Sequence, residues 1–348
     1  MASTHKPASE QRLEQLREQA WEKGVVTDRG VNVAGGPIPH KAGYYGEPVV
    51  KAPVWTWEIP LYFFIGGFGG MSAVIALPAL AFHHTDVAVT AMWLAVIAAI
   101  ISPILLILDL GRPRLFINML RVFKHRSAMS MGVWILTFFS VCAIPGLIAL
   151  ELHIHLGLIG NIDQLLRVFA GLFVAGSALF GLLLATYTGV LIGATAIPAW
   201  YLHRTLLPIH FGVAGLGSAA ALLELLGHRI AAINALGYFA AAVESGLLVW
   251  LTVDKHGKAD RAIHEHGTGW LIRIGEILTG PIAIILRLLG QVSFAAISFL
   301  IGALVSRIGW IAVGKVSGSD PESVFAAESQ FQKNRPAGAK IKRFGNGH

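Results

Sequence analysis

Between residues 55 and 313 the sequence is a series of long apolar runs separated by short polar turns. No other feature constrains the fold as strongly. In hydrocarbon every backbone N–H and C=O must find a partner inside the chain, so such runs fold as helices that cross a bilayer. One crossing takes about 20 apolar residues. The runs predict helices at 58–82, 87–108, 128–150, 164–192, 207–226, 230–252, 270–289 and 291–313. The expected fold is an all-α membrane protein with about eight transmembrane helices. The seventh run carries Arg273, Glu276, Pro281 and Arg287, which makes it the one expected to be tilted, broken or partly interfacial.

Only 14% of the residues are charged, where soluble domains carry about 25%. The polar residues gather at 1–54 and 314–348. Residues 9–21 read as a short, highly charged helix, solvated or docked on a soluble partner, and 24–53 as a Gly- and Pro-rich connector. No signal-peptide stretch opens the chain, so no cleavage is expected. The single cysteine, Cys142, lies in an apolar run. It excludes an intrachain disulfide, and the chain lacks the thiolates for an iron–sulfur cluster. In a membrane protein the net charge of +7 reads as topology and contact with anionic membrane lipid, not as nucleic-acid binding.

Lys and Arg in the short loops set the orientation. Arg112, Arg114, Arg121, Lys124 and Arg126 follow the second run, Arg204 the fourth, and Lys255, Lys258 and Arg261 the sixth. The first and third connections contain neither residue, the fifth only Arg229, and the last turn only Arg287. The positive-inside rule then places both termini in the cytoplasm, for a multi-pass protein of a bacterial or archaeal inner membrane. The segment from Pro60 to Gly69 aligns with that from Pro208 to Gly217 at an offset of 148, with Pro, Phe and two Gly coincident. Four helices per unit give a parallel repeat about the membrane normal. Two four-helix bundles are expected, at 55–200 and 201–313, between an N-terminal extension (1–54) and a basic tail (314–348). Chance similarity of two glycine-bearing runs is the alternative.

In this topology Glu58 and Tyr62 fall in the first turns of the first helix, at the cytoplasmic end. Asp109, Arg112 and Arg114 close the second helix there, and Ser127 and Ser130 open the third. Tyr187, late in the fourth helix, and His210, early in the fifth, lie near the same side. A quinone headgroup needs this mixture: hydrogen bonds at two oxygens, an apolar slot, and groups that pass protons. The bland readings are an interfacial ion pair for Asp109, an N-cap for Ser127, the aromatic belt for Tyr62 and a helix-dipole contact for Glu58. Acids within spans often mark proton paths, which brings in Glu224 and Glu244 as well as Glu276. Glu276 alternatively pairs with Arg273, and Glu244 with Ser218 or Thr252. Haem is disfavoured, because of 14 histidines only His210 lies clearly inside a span; no metal site is expected.

Five segments in order carry a family resemblance: Trp57 to Gly70; Asp109-Leu110-Gly111-Arg112-Pro113; Ser127 to Trp134; Tyr187 to Gly193 with Ile197-Pro198-Ala199-Trp200; and Arg307 before Gly314. The chain resembles the NrfD/PsrC family, the polysulfide-reductase-like integral membrane subunits of molybdopterin oxidoreductase complexes. The resemblance implies an eight-helix quinone- or quinol-binding anchor, without its own haem or cluster. The quinone would be menaquinone or ubiquinone, held in the first bundle by Glu58, Tyr62, Asp109, Arg112, Ser130, Trp134 and Tyr187. Asp109, His210, Glu224 and Glu244 are the candidates for proton transfer. The implied partners are a four-cluster ferredoxin-like iron–sulfur subunit and a molybdopterin-type catalytic subunit. A proton channel or secondary transporter built on the repeat is the competing class, and a purely structural anchor the third.

Overall fold

A computed structural model describes residues 32–33, 36–37, 50, 55–109, 116–121, 123–125, 127–156, 160–253, 260–264 and 267–333. The expected helix at 9–21 and Arg112 lie outside the described residues. The chain forms two compact units, Met1–Glu47 and Pro48–His348. In the first, β1 (Asn32–Val33) and β2 (Gly36–Pro37) pair antiparallel, Asn32 opposite Pro37 and Val33 opposite Gly36.

The second unit is helical among its described residues. Its elements are α1 (Glu58–Ala81), α2 (Thr85–Asp109), α3 (Phe116–Leu120), α4 (Ala128–His155), α5 (Asn161–Gly193), α6 (Pro198–Leu202), α7 (Leu206–Leu225), α8 (Ala231–Val253), α9 (Arg261–His264), α10 (Gly267–Thr279), α11 (Pro281–Leu288), α12 (Val292–Ser319) and α13 (Pro321–Lys333). Among the described residues seven helices are long and apolar enough to cross a membrane: α1, α2, α4, α5, α7, α8 and α12. The chain is therefore an integral membrane protein.

The run at 270–289, expected to be tilted, broken or partly interfacial, is interrupted and is not among the seven. It is two helices, α10 and α11, broken at Gly280–Pro281. Proline has no N–H to continue the ladder and forces the preceding residue out of the helical region; Gly280 sits at φ −95°, ψ −98°. The pair runs antiparallel to α12, with Ile272 near Gly309, Gly275 near Ser306 and the Leu278 carbonyl accepting from Ser298. Ser127 caps α4 as expected: its backbone is extended and its Oγ accepts the Ser130 N–H at 3.4 Å. Asp320 opens α13, accepting from the Ser323 hydroxyl (2.6 Å) and the Glu322 N–H (3.1 Å); these bonds hold its carboxyl below the usual range.

Successive long helices alternate in direction. Two faces can be named: proximal, where α1, α4 and α7 begin, and distal, where they end. At the centre is α1, which touches α2, α5, α7 and α12. Its glycines make this possible, because small residues let helix backbones approach closely. A Cβ on Gly69 would overlap Ala98 of α2, and one on Gly70 would overlap the backbone of Gly181 in α5. A Cβ on Gly215 of α7 would lie 2.9 Å from the carbonyl oxygen of Gly67. Gly67 and Gly215 are equivalent at the 148-residue offset, and so are Phe63 and Phe211, whose rings lie 5.8 Å apart. Contact between equivalent residues is what a two-fold axis between repeats produces.

Gly67→Leu drives a side chain into this contact. It is expected to lower stability by about 1–3 kcal/mol, read as a fall in Tm of the detergent-solubilised protein. Gly171→Ala, where a Cβ meets nothing within 4 Å, is expected to leave Tm unchanged or slightly raised.

Candidate functional site

Two polar sites lie near the proximal face, one on each side of the α1–α7 contact. The first is a cavity of about 200 Å³ lined by residues of α1, α2, α4 and α5 together with Trp55 and Met119. Tyr62, Asp109 and Tyr187 supply its polar groups; Ile59, Phe63, Leu106, Met129, Val133 and Leu191 make the walls apolar. The Tyr187 hydroxyl donates to the Ala128 carbonyl at the start of α4. Gly132 leaves room for that ring, since a Cβ there would overlap it. The Tyr62 ring is buried at 2% exposure.

Three of the residues expected at a quinone site therefore meet at one cavity. Glu58 is half-buried beside it and accepts from the Thr56 hydroxyl. Ser130 accepts the Lys124 N–H at 3.0 Å, and Trp134 packs between Phe123 and Phe138; none of these three lines the cavity. Arg112 lies outside the described residues. Gly132 fell within the quoted segments and Trp55 just before the first of them, but neither carries a titratable group that would have singled it out. A wider groove of about 820 Å³ opens nearby, lined by Tyr201, Arg204 and Glu328 among mostly small residues. It gathers none of the expected residues except as neighbours in sequence.

Motifs distant in sequence close the proximal end. Trp55 stacks on Trp200 at 5.5 Å, and the Trp200 indole donates to the Trp310 carbonyl at 2.7 Å. The same ring sits where a Cβ on Gly314 would be. Only glycine there admits the tryptophan of the Ile197–Trp200 segment.

The second site is a fully buried cluster of His210 (α7), Glu244 (α8), Glu276 (α10), Ser306 and Arg307 (α12). His210 Nδ1 is 2.9 Å from Glu244, and Nε2 is 3.0 Å from Ser306 Oγ and 3.3 Å from Glu276. Ser306 donates to Glu276 at 2.8 Å. Arg307 donates to the carbonyls of Ala303 (3.0 Å) and Phe211 (3.2 Å) and lies within electrostatic reach of both acids. Glu276 thus turns inward rather than towards Arg273, which meets His264 at 3.2 Å. Glu244 meets His210, not Ser218 or Thr252.

Charge counting decides what this cluster can hold. Two carboxylates and one guanidinium leave one negative charge. Burial without compensation is costly, and a single proton brings the sum to zero. On the imidazole that proton lets both ring nitrogens donate, Nδ1 to Glu244 and Nε2 to Ser306, which passes its own hydrogen to Glu276. Alternatively the same proton sits on one of the two carboxyl groups, which have oxygens within 4.8 Å of each other. The ligand atoms of His210, Glu244 and Glu276 also lie within 4.8 Å of one another, close enough for a metal. A divalent ion would overshoot to a net positive charge beside Arg307, so the cluster suits a proton better.

Glu224 is elsewhere, near the distal end of α7, about 21 Å along the helix from His210. Arg287 grips it at two points, 2.6 and 2.8 Å, and also bonds Asn234 at 2.7 Å. The sequence placed Arg287 in a surface turn. Instead it folds inward over the space left by Gly237.

A sequence model of the family described as "Polysulphide reductase, NrfD" matches residues 47–308. A comparison with curated proteins gives no match.

Removing one member of the Glu224–Arg287 pair strands a buried charge. Arg287→Met is expected to cost about 3–5 kcal/mol, and Glu224→Leu with Arg287→Met much less than that. Thermal unfolding in detergent measures both.

Proposed function

The chain belongs to the NrfD polysulphide reductase family, and from that premise we propose that it is the quinone- or quinol-binding membrane anchor of a respiratory oxidoreductase complex. Electrons pass between the quinone pool and an iron–sulfur subunit docked on the proximal face; a molybdopterin-type subunit completes the complex. The observation that carries this reading is the convergence of Tyr62, Asp109 and Tyr187 on one apolar-walled cavity. Members of the family serve as membrane subunits of molybdopterin oxidoreductases, which supports the anchor role.

The cavity suits quinone chemistry residue by residue. Oxidation of a quinol releases two electrons and two protons, and reduction takes up the same. Tyr62 offers a hydroxyl in the buried wall and orients a headgroup oxygen. Asp109, the last residue of α2, exchanges a proton with that oxygen and stands nearest the aqueous side. Tyr187 is held by Ala128 and fixes the ring's position with its face and its oxygen. Ile59, Phe63 and Leu191 exclude water.

The loop charges support a cytoplasmic proximal face, with both termini on that side of an inner membrane. Counting α10 and α11 together as one crossing gives eight, and the Phe63–Phe211 and Gly67–Gly215 pairs support two related halves. The second half then holds a proton at His210, Glu244 and Glu276. In the first, Asp109 handles protons at the quinone; Glu224, clamped by Arg287, serves stability.

The test is the double variant Tyr62→Phe with Asp109→Asn in the assembled complex. Quinol-linked turnover is expected to fall by about 100-fold or more, with the subunits still co-purifying. Turnover at the parental rate overturns the site.

A further inference from the structure

At the proximal end of the second half lies a group of titratable residues that the quinone reading does not use. Asp260, just before α9, is buried. His264, one turn on, reaches it from a partly exposed position, Nε2 to Oδ2 3.4 Å. His203, between α6 and α7 and 3% exposed, faces the same oxygen at 3.8 Å. The Nδ1–H of His203 donates to the Ala199 carbonyl at 2.9 Å, which turns Nε2 towards Asp260. Among the described residues, charged groups beside them include Arg273, against His264 Nδ1, and Arg261, which is paired with Glu322 at 3.0 Å.

His203 lies two helical turns before His210 on the same side of the chain. Between them stands Trp310, its ring 5.6 Å from His203 and 6.4 Å from His210. Among the described residues the Trp310 indole N–H has no hydrogen-bond partner, nor have Glu244 Oε1, Glu276 Oε2 and Arg307 Nε. Buried polar atoms are almost always satisfied, by protein or by ordered water. Ordered water commonly satisfies such atoms.

Towards the distal face the polar path closes. The hydroxyls of Ser218, Ser245 and Thr279 each return to a carbonyl of their own helix. A Cβ on Gly217 would overlap the Phe299 ring, and beyond it Arg287 locks Glu224.

We propose that His264, Asp260 and His203 form a one-sided proton port that loads the His210–Glu244–Glu276 cluster from the proximal face through water held at Trp310. It rests on the reading that the cluster holds a proton. A proton taken from the aqueous side at His264 and Asp260 passes to Nε2 of His203, from there to water, and then to His210 and the facing carboxyl groups. The port occupies the place of the quinone cavity's mouth in the other half: His203 is equivalent to Trp55 and His210 to Tyr62 at the 148-residue offset. A closed distal side makes this a loading site, not a channel.

The full-length protein, with any subunits that co-purify, is reconstituted in oriented liposomes. Infrared difference spectra then follow the carboxylic C=O band after acidification of one compartment. Glu276→Gln is expected to remove the band. Asp260→Asn is expected to keep its amplitude and slow its appearance about 100-fold, with Asp260→Glu restoring the rate. His264→Gln, at the exposed rim, slows it as well and serves if Asp260→Asn fails to fold. Unchanged rates in both variants, or equally fast protonation from the distal compartment, overturn the port. A band that survives Glu276→Gln overturns the reading of the cluster instead.

Discussion

Backbone contact between α1 and α7 organises the membrane-embedded fold. Where Gly215 meets Gly67, two parallel helices approach more closely than a Cβ on Gly215 would permit. In lipid no hydrophobic force drives helices together, so association depends on close van der Waals contact and on hydrogen bonds. The neighbouring glycines of α1 extend the same contact to α2 and α5, and Arg307 of α12 fills the remaining side. That guanidinium is 5.2 Å from the Phe211 ring and 5.9 Å from Phe64. It thus touches rings of both α1 and α7.

Positions related by the 148-residue offset are built differently. One turn into α1 stands Tyr62, beside a cavity; one turn into α7 stands His210, inside a filled cluster. An apolar-walled space with two phenols and one carboxylate takes a flat, weakly polar molecule. The equivalent volume is filled by imidazole, two carboxylates and a guanidinium, whose unbalanced negative charge one proton would cancel. Phe63 and Phe211 bridge the two sites across the seam, so quinone and proton chemistry would lie back to back in one membrane layer.

Much of this was legible in the sequence. Apolar runs gave the long helices because a bilayer leaves few alternatives. Pro281 and the charges around it marked the apolar run that breaks into α10 and α11. The Pro-Phe-Gly-Gly pattern shared at the 148-residue offset pointed to residues that do touch, Phe63 with Phe211 and Gly67 with Gly215. Tyr62, Asp109 and Tyr187 could be drawn together because depth follows from residue count along a helix. Rotation about the helix axis does not follow from depth. Glu58, Ser130 and Trp134 sit at similar depth to the cavity yet face other neighbours.

Sequence alone determined that the chain is a helical membrane protein, where its long apolar helices lie, and which family it belongs to, since these depend on local hydropathy and ordered motifs. Tertiary structure decided the partners of its buried charges. Glu276 and Arg273 are three residues apart, yet one turns to His210 and the other to His264. Glu224 and Arg287, distant in sequence, are joined at two points. A buried ion is stabilised by whatever compensating group lies within a few ångströms. Which group that is depends on how α7, α8, α10, α11 and α12 rotate against one another, and no spacing along the chain encodes it.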